Sequence, residues 1–191
     1  MKKIKESITE KDYKKLMAYT RGLESITPNS KQNFLRTFTV LFFSGIRLNE
    51  IQTMRYRHIK ELLDNKETII ETTKTQRERK IFASDNFIKE LNKLFSFNEH
   101  TDFEEKVVQK RGQPRSSIGH ITYIQAVNKI IHEALGERYS SHSFRQGMIT
   151  QMAQNGVNAQ AICDIIGHSN VQTTLGYIKT TEEDLKKILP Y

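Results

Sequence analysis

The sequence predicts an α+β domain that is mainly helical and contains a small antiparallel β-sheet. Apolar residues recur at helical spacing along most of the chain, and one stretch of β-branched residues at 68–83 interrupts this pattern. The 191 residues suffice for a single domain with a substantial core. Because no internal repeat or evident linker divides the chain, we expect one domain over residues 1–191.

The first third of the chain contains three predicted helices. Thr9 and Asp12 match a capping box at the start of the first helix. A longer helix follows and ends at Gly45, a typical C-terminal cap, and Asn49 is expected to cap a short helix that extends to Met54. The longer helix is predicted from an apolar stripe of core residues: Phe34, Leu35, Phe38, Leu41 and Phe42.

The middle of the chain predicts the sheet. Residues 68–83 combine β-branched residues with a polar turn that carries Lys74, so we expect a β-hairpin with a basic tip. Ser84 is expected to cap the next helix, and Val107 and Val108 indicate a third short strand. A basic loop follows at 110–115, and its charge is explained equally well by phosphate contact or by a solvated surface.

The last third of the chain is predicted to be helical throughout. Apolar spacing indicates one helix before Ser141 and a second that ends at Asn155 and Gly156. Asn158 is expected to cap a third helix that Gly167 ends. Ser169 or Asn170 can cap a helix that carries Tyr177, and residues 181–189 form a predicted last amphipathic helix.

Composition favours a nucleic-acid partner inside the cell. The chain has 30 Lys+Arg and 22 Asp+Glu, a net charge of +8, which favours a polyanion. One cysteine, Cys163, excludes a disulfide framework and a thiolate metal cluster. No histidine pair has the spacing of a zinc hydrolase, so we expect neither a metal nor another cofactor. No apolar run is long enough to span a membrane, and we expect a cytoplasmic or nucleoid-associated protein.

Four residues near the C-terminus could together cleave DNA without a metal ion. A tyrosine hydroxyl can attack a phosphodiester if cations neutralise the phosphate oxygens and proton donors serve the leaving oxygen. A histidine or tyrosine alone is more often structural, so the hypothesis depends on their joint spacing. The candidate residues are His142, Arg145, His168 and Tyr177.

The motifs around these four residues, together with two motifs earlier in the chain, resemble in order those of the tyrosine recombinase (phage integrase) catalytic domain. Two departures are Gln146, where the family often has histidine, and Phe82-Ala83, where it commonly has a turn with proline. The matching segments are Ser44-Gly45-Ile46-Arg47-Leu48-Asn49-Glu50-Ile51, Thr73-Lys74-Thr75-Gln76-Arg77-Glu78-Arg79, Ser141-His142-Ser143-Phe144-Arg145, Ile165-Ile166-Gly167-His168-Ser169 and Thr173-Thr174-Leu175-Gly176-Tyr177.

The resemblance implies a role for each candidate residue. Tyr177 would attack the scissile phosphate and form a 3′-phosphotyrosyl bond, while Arg47 and Arg145 would hold the non-bridging oxygens. Lys74 would protonate the leaving 5′-oxygen as a general acid. The remaining roles are proton transfer for His142, a phosphate hydrogen bond for His168, orientation of the site for Glu50, and DNA contacts for Arg77, Arg79, Lys80, Lys110, Arg111 and Arg115.

The resemblance also implies partners. We expect double-stranded DNA, a homo-tetramer on paired sites, and a monomer or weak oligomer without DNA. The tail at 181–191 resembles a segment that packs on a neighbouring protomer, although it could equally fold back in cis. No separate N-terminal DNA-clamping domain is expected, so the chain is either a catalytic-domain fragment or a minimal recombinase.

Two other functions remain open at this point. A type IB topoisomerase-like enzyme would share the chemistry but relax DNA without strand exchange. A non-catalytic helix-turn-helix regulator would fit the segment from Ala161 to Ile178. Such a regulator would have no need for Arg47, Lys74 and Arg145.

Overall fold

The computed structural model describes residues 6–71, 78–167 and 171–176. These residues are mainly helical, with one two-stranded antiparallel sheet, which confirms the predicted fold class. The chain divides into two compact units, Met1–Met148 and Ile149–Tyr191, so the expectation of a single domain stays a prediction. The elements in chain order are α1 (Glu10–Gly22), α2 (Pro28–Ser44), α3 (Leu48–Ile51), α4 (Tyr56–Asn65), β1 (Glu67–Glu71), β2 (Glu78–Phe82), α5 (Asp85–Leu94), α6 (His120–Leu135), α7 (Ser141–Gln154), α8 (Ala159–Ile166) and α9 (Val171–Leu175).

Helix termini in the first unit follow local capping chemistry. The predicted capping box at the start of α1 is present, since the Asp12 N–H donates to Thr9 Oγ1 at 3.3 Å and the Thr9 N–H donates to Asp12 Oδ2 at 3.0 Å. Ser84 caps α5 as predicted, accepting from the Phe87 N–H at 3.3 Å. Gly45 ends α2 with a φ of 59°, a left-handed conformation that favours glycine.

The segment after Gly45 differs from the prediction. The helix α3 is capped by Arg47 rather than by Asn49, and it ends at Ile51 rather than at Met54. The reason is that the Glu50 carboxylate accepts the Arg47 N–H at 2.7 Å, which sets the helix start two residues earlier. The helix α4 was not predicted, because its N-terminus is capped by a histidine ring instead of a hydroxyl or carboxylate: the Arg55 N–H donates to His58 Nδ1 at 2.8 Å.

The two antiparallel strands of the predicted β-hairpin are present and form a sheet with two unlike faces, while the predicted basic tip lies outside the described residues. Residue pairs such as Thr68–Ile81 and Ile70–Arg79 set the antiparallel register, and these four side chains lie on the buried face. The predicted third strand at Val107 is only an isolated bridge between Arg55 and Lys106 in the described residues. Val107 is nevertheless fully buried, and its N–H donates to the Met54 carbonyl at 3.1 Å.

The helix α2 is central to the core of the first unit. Its Phe38 is fully buried and lies 6.0 Å from the Phe144 ring of α7, centroid to centroid. On other sides Phe42 stacks on Tyr13 at 4.3 Å, and Phe43 stacks on Phe87 at 5.3 Å. Because apolar packing fixes α2 from several directions, the turn at its C-terminus is held in place.

The N-terminal segment lies directly against α7. The Ile8 N–H donates to the Ser143 carbonyl at 3.0 Å. A Cβ atom at Gly147 would lie 2.2 Å from the Ile8 carbonyl oxygen, so only glycine allows this approach. Glycine inside a helix costs about 1 kcal/mol relative to alanine, and the close contact explains its presence in α7.

The second unit contains the end of α7 and the helices α8 and α9. Asn158 caps α8 as predicted, accepting from the Ala161 N–H at 2.8 Å, and the helix ends at Gly167. The apolar face of α8 is buried through Ile162, Cys163 and Ile166. The predicted caps at 169 and 170 and the tail at 181–191 lie outside the described residues. Across the described ranges, no helix has the length and apolarity needed to cross a membrane.

Candidate active site

Arg47 lies at the start of α3, immediately after the turn that ends α2. Its backbone N–H donates to Glu50 Oε2 at 2.7 Å, and its side-chain Nη1 donates to Glu50 Oε1 at 3.1 Å. The Glu50 side chain is only 1% exposed, whereas that of Arg47 is 31% exposed. The carboxylate therefore fixes both ends of Arg47 and leaves part of the guanidinium open to solvent.

Arg145 reaches the same turn from α7. The residue is buried, and its Nη1 donates to the Gly45 carbonyl at 2.9 Å. The carbonyl groups at a helix C-terminus lack partners within the helix and carry partial negative charge, so they suit a guanidinium. This hydrogen bond brings the arginine of α7 to the junction that carries Arg47.

His142 lies one helical turn before Arg145 on α7 and keeps an exposed surface. Its pKa is lowered from the ordinary histidine value, first by partial desolvation of the ring and then by the charges of Arg145 and Arg47. These shifts favour the neutral imidazole, the form that can accept a proton. The described part of the site thus combines two guanidinium groups with a histidine whose lowered pKa favours the neutral ring.

Arg79 is a second partner of Glu50. Its Nη1 donates to Glu50 Oε2 at 3.1 Å, and its Nη2 donates to the Ser44 carbonyl at 3.4 Å. Its side chain is 5% exposed, and burial lowers its pKa although Glu50 acts in the opposite direction. The sequence predicted Arg79 as a DNA contact, but the structure places this guanidinium inside the domain, against Glu50. We refer to Arg47, Glu50, Arg79 and Arg145 as the arginine–glutamate cluster.

The other predicted DNA contacts in the described residues lie on the surface. Lys80 follows Arg79 on β2 and points to the opposite face of the sheet, where it pairs with Glu67 at 2.8 Å. Lys110 and Arg111 are exposed in the basic loop at 110–115. Arg115 is also exposed and donates to Asp102 Oδ2 at 2.7 Å.

Four predicted site residues, Lys74, Arg77, His168 and Tyr177, lie outside the described residues. Sequence reasoning missed two features of the site, namely the carbonyl acceptors of Ser44 and Gly45 and the burial of Arg79. The burial of Arg79 could have been recognised, because Arg79 lies two residues before Ile81 on β2 and so shares its buried face. Within the ranges that the structure covers, no group of three histidine, cysteine or acidic side chains is placed to bind a metal ion.

Comparison with known proteins identifies the family of the chain. The model of the phage integrase family matches residues 6–184. The tyrosine recombinase XerA of Thermococcus onnurineus is 26% identical over 186 residues, which are 97% of this chain and 62% of that protein. The chain therefore spans less than two thirds of the length of this curated relative.

Solved structures show the same fold. A crystal structure of XerA recombinase matches with a TM-score of 0.70 and 17% identity, over 97% of this chain and 64% of that one. XerH site-specific recombinase, bound to a palindromic difH substrate in a post-cleavage complex, matches with a TM-score of 0.68 and 18% identity, over 97% of this chain and 52% of that one. With the family model covering most of the sequence, these matches show that the chain belongs to the phage integrase family, the tyrosine recombinases.

Proposed function

We propose that this chain is the catalytic domain of a site-specific recombinase that cleaves and rejoins duplex DNA through Tyr177. The observation that carries the proposal is the hydrogen bond from Arg145 Nη1 to the Gly45 carbonyl at 2.9 Å. It joins α7 to the turn that carries Arg47, so two guanidinium groups from distant parts of the sequence belong to one site. Family membership supplies the reaction that such a site would perform.

The cluster has the charge that a phosphoryl transfer needs. A phosphodiester under attack carries negative charge on its non-bridging oxygens, and planar guanidinium groups can bind two oxygens at once. Electrostatic stabilisation of this kind is often the largest single contribution to catalysis. The Arg47 side chain is 31% exposed, so it can bind a phosphate that approaches from solvent while its backbone N–H and Nη1 donate to Glu50.

The remaining steps are assigned from the family match, which includes residues 74, 168 and 177. The Tyr177 hydroxyl forms a bond to phosphorus as the bond to the 5′-oxygen breaks, and Lys74 protonates that oxygen. His142 accepts the tyrosine proton, and its lowered pKa keeps the ring in the neutral form that can accept one. His168 hydrogen-bonds the phosphate. Rejoining reverses these steps with a 5′-hydroxyl as nucleophile, so the bond energy is kept throughout.

The partner in this proposal is double-stranded DNA. The net charge of +8 and the exposed cations of the basic loop favour it, and the similar XerH protein is described as bound to a DNA substrate. We further propose a homo-tetramer on paired sites, with residues 181–191 packing on a neighbouring protomer. Removal of residues after Lys179 would then abolish pairing of sites and spare DNA binding.

Covalent trapping tests the proposed function. The protein is incubated without metal ions with nicked suicide duplexes from the genomic neighbourhood of its gene, and adducts resistant to SDS are collected. We expect an adduct in the wild type and none in Tyr177→Phe, because the phenyl ring lacks the attacking oxygen. Sequencing the trapped strand would identify the site.

Two outcomes would favour the other functions. Equal DNA binding by both proteins without any adduct would contradict the proposal and favour a binding module such as a helix-turn-helix regulator. An adduct together with relaxation of supercoiled plasmids, but without strand exchange between two labelled sites, would favour a topoisomerase-like enzyme.

A further inference from the structure

We infer that Arg79 is a positioning residue for the proposed reaction, which holds the phosphate-binding Arg47 in place through Glu50. Its effect on rate rests on the proposed function, whereas its effect on the conformation of Arg47 does not. Three donors converge on the Glu50 carboxylate: the Arg47 N–H at 2.7 Å, the Arg47 Nη1 at 3.1 Å and the Arg79 Nη1 at 3.1 Å. The carboxylate thus links the two arginines directly.

The two arginines that share Glu50 have unlike surroundings. The Arg79 side chain is 5% exposed and that of Arg47 is 31% exposed, while Glu50 between them is 1% exposed. A buried carboxylate needs a compensating charge and filled hydrogen-bonding sites. Arg79 supplies both from the interior, so the Arg47 guanidinium, which shares the carboxylate through Nη1, can stay at the solvent edge.

A second contact ties Arg79 to the same helix end that holds Arg145. Arg79 Nη2 donates to the Ser44 carbonyl at 3.4 Å, and Arg145 Nη1 donates to the next carbonyl, that of Gly45, at 2.9 Å. Successive carbonyls at the C-terminus of α2 therefore fix two guanidinium groups. Because Arg79 also donates to Glu50, which binds Arg47, the C-terminus of α2 helps to fix Arg47 as well.

The geometry of β2 argues against a direct DNA contact by Arg79. Side chains alternate across the strand, and Arg79 shares the buried face with Ile81. Its neighbour Lys80 is 47% exposed on the other face, where it pairs with Glu67. Arg79 pairs with Ile70, next to the Glu71–Glu78 pair that ends the described part of the hairpin, so it connects this strand to the turn that carries Arg47.

The test uses three variants of the full chain and one matched control. Arg79→Met removes the charge and keeps most of the volume, Glu50→Gln removes the shared carboxylate, and the double variant removes both. The control is Arg57→Met, which deletes an arginine of an exposed ion pair with Glu104. Each protein is assayed for thermal stability, for binding to a fluorescent 30-base-pair duplex, and for the rate of adduct formation on the suicide duplex that traps the wild type.

For Arg79→Met we expect a lower Tm and duplex affinity within about twofold of the wild type. We expect its adduct rate to be about tenfold to a hundredfold lower, because misplacement of a catalytic group by about 1 Å can cost about a hundredfold. The double variant tests whether Arg79 acts through Glu50. It leaves no buried unpaired charge, so its Tm should recover relative to Arg79→Met, whereas its rate should stay low and within about twofold of that of Glu50→Gln. A merely structural role of Arg79 predicts instead that the rate of Arg79→Met equals that of the wild type at temperatures well below its Tm.

A measurement without DNA separates this inference from the proposed function. In ¹⁵N spectra of arginine side chains, the guanidinium of Arg47, assigned by loss of its signal in Arg47→Lys, should show slowed rotation in the wild type and fast rotation in Arg79→Met. Absence of any wild-type adduct would refute the proposed function and leave this spectroscopic result standing.

Three results would overturn the inference. The first is a rate for Arg79→Met within twofold of the wild type. The second is a loss of duplex affinity in proportion to the loss of rate, which would restore the predicted DNA contact. The third is an unchanged rotation of the Arg47 guanidinium in Arg79→Met.

Discussion

The arginine–glutamate cluster and the basic loop at 110–115 are both rich in cations, yet the fold uses them in opposite ways. Arg79 and Arg145 in the cluster are buried and donate to backbone carbonyls, whereas Lys110, Arg111 and Arg115 in the loop are exposed. In the cluster, the buried Glu50 carboxylate and the carbonyl groups at the C-terminus of α2 receive the guanidinium groups. Charge clustering in the sequence therefore does not distinguish a structural arginine from a ligand contact.

The basic loop is nevertheless anchored at its base. The buried Asn33 side chain binds the residue before the loop twice, donating to the Gln109 carbonyl at 2.8 Å and accepting its N–H at 3.0 Å. Within the loop, the Lys110 N–H donates to the Ser116 carbonyl at 2.8 Å. The backbone is thus fixed while the cationic side chains reach solvent, an arrangement suited to long-range attraction of DNA rather than to chemistry.

The largest effect that separates the two regions is expected at Arg145. Arg145→Ala should lower the rate of adduct formation by about 10²–10³-fold, because a fixed charge aimed at the phosphate is lost. Arg145→Lys should not restore it, since an ammonium lacks the planar fork. The measurement is single-turnover trapping at saturating DNA. A loss of similar size in a variant of the basic loop would remove the distinction between the two regions.

A smaller effect, on affinity, is expected from the basic loop. The double variant Lys110→Ala, Arg111→Ala should reduce the slope of log affinity against log salt concentration by about two, because each phosphate contact releases counterions. Fluorescence anisotropy with a labelled duplex at several salt concentrations measures this slope. The double variant Lys14→Ala, Lys60→Ala removes two exposed lysines from α1 and α4 as a control. An equal change of slope in the control would mean that the loop has no special role.

The smallest effect concerns the proton on His142. Its pKa should lie below the ordinary value near 6.5, and Arg145→Met should raise it by removing one of the charges that lower it. Because the lowered pKa makes the unfolded chain the better proton acceptor, protonation opposes folding as the pH falls below about 6.5. NMR titration of the ring protons measures the shift. His58 is the internal control, since its lowered pKa has burial, Arg57 and Arg55 as its lowering causes, and Arg145→Met should leave it unchanged.

Much of the fold could be predicted because it depends on local sequence. The capping box at Thr9, the left-handed Gly45 and the cap at Asn158 follow from side chains within a few residues of each helix end. The hairpin follows from β-branched residues around a polar turn. These features needed no knowledge of tertiary contacts.

The missed features depend on contacts between distant residues. The burial of Arg79 becomes evident only when Glu50 and the Ser44 carbonyl lie beside it. Its position two residues before Ile81 on β2 did indicate the buried face of the strand. The helix α4 was missed because His58 supplies an unusual cap. Candidate residues Arg47, His142 and Arg145 were found from motif spacing, and the hydrogen bonds that connect Arg47 with Glu50 and Arg145 with the Gly45 carbonyl could not be predicted from that spacing.

The close contact between residues 6–8 and α7 couples the position of this helix to that of the N-terminal segment. Ile8 lies so close to Gly147 that no side chain fits between them, and its N–H is bonded to Ser143, between His142 and Arg145. Any shift of residues 6–8 would therefore be transmitted directly to the turn of α7 that carries His142 and Arg145, the two residues of this helix with roles in the proposed reaction.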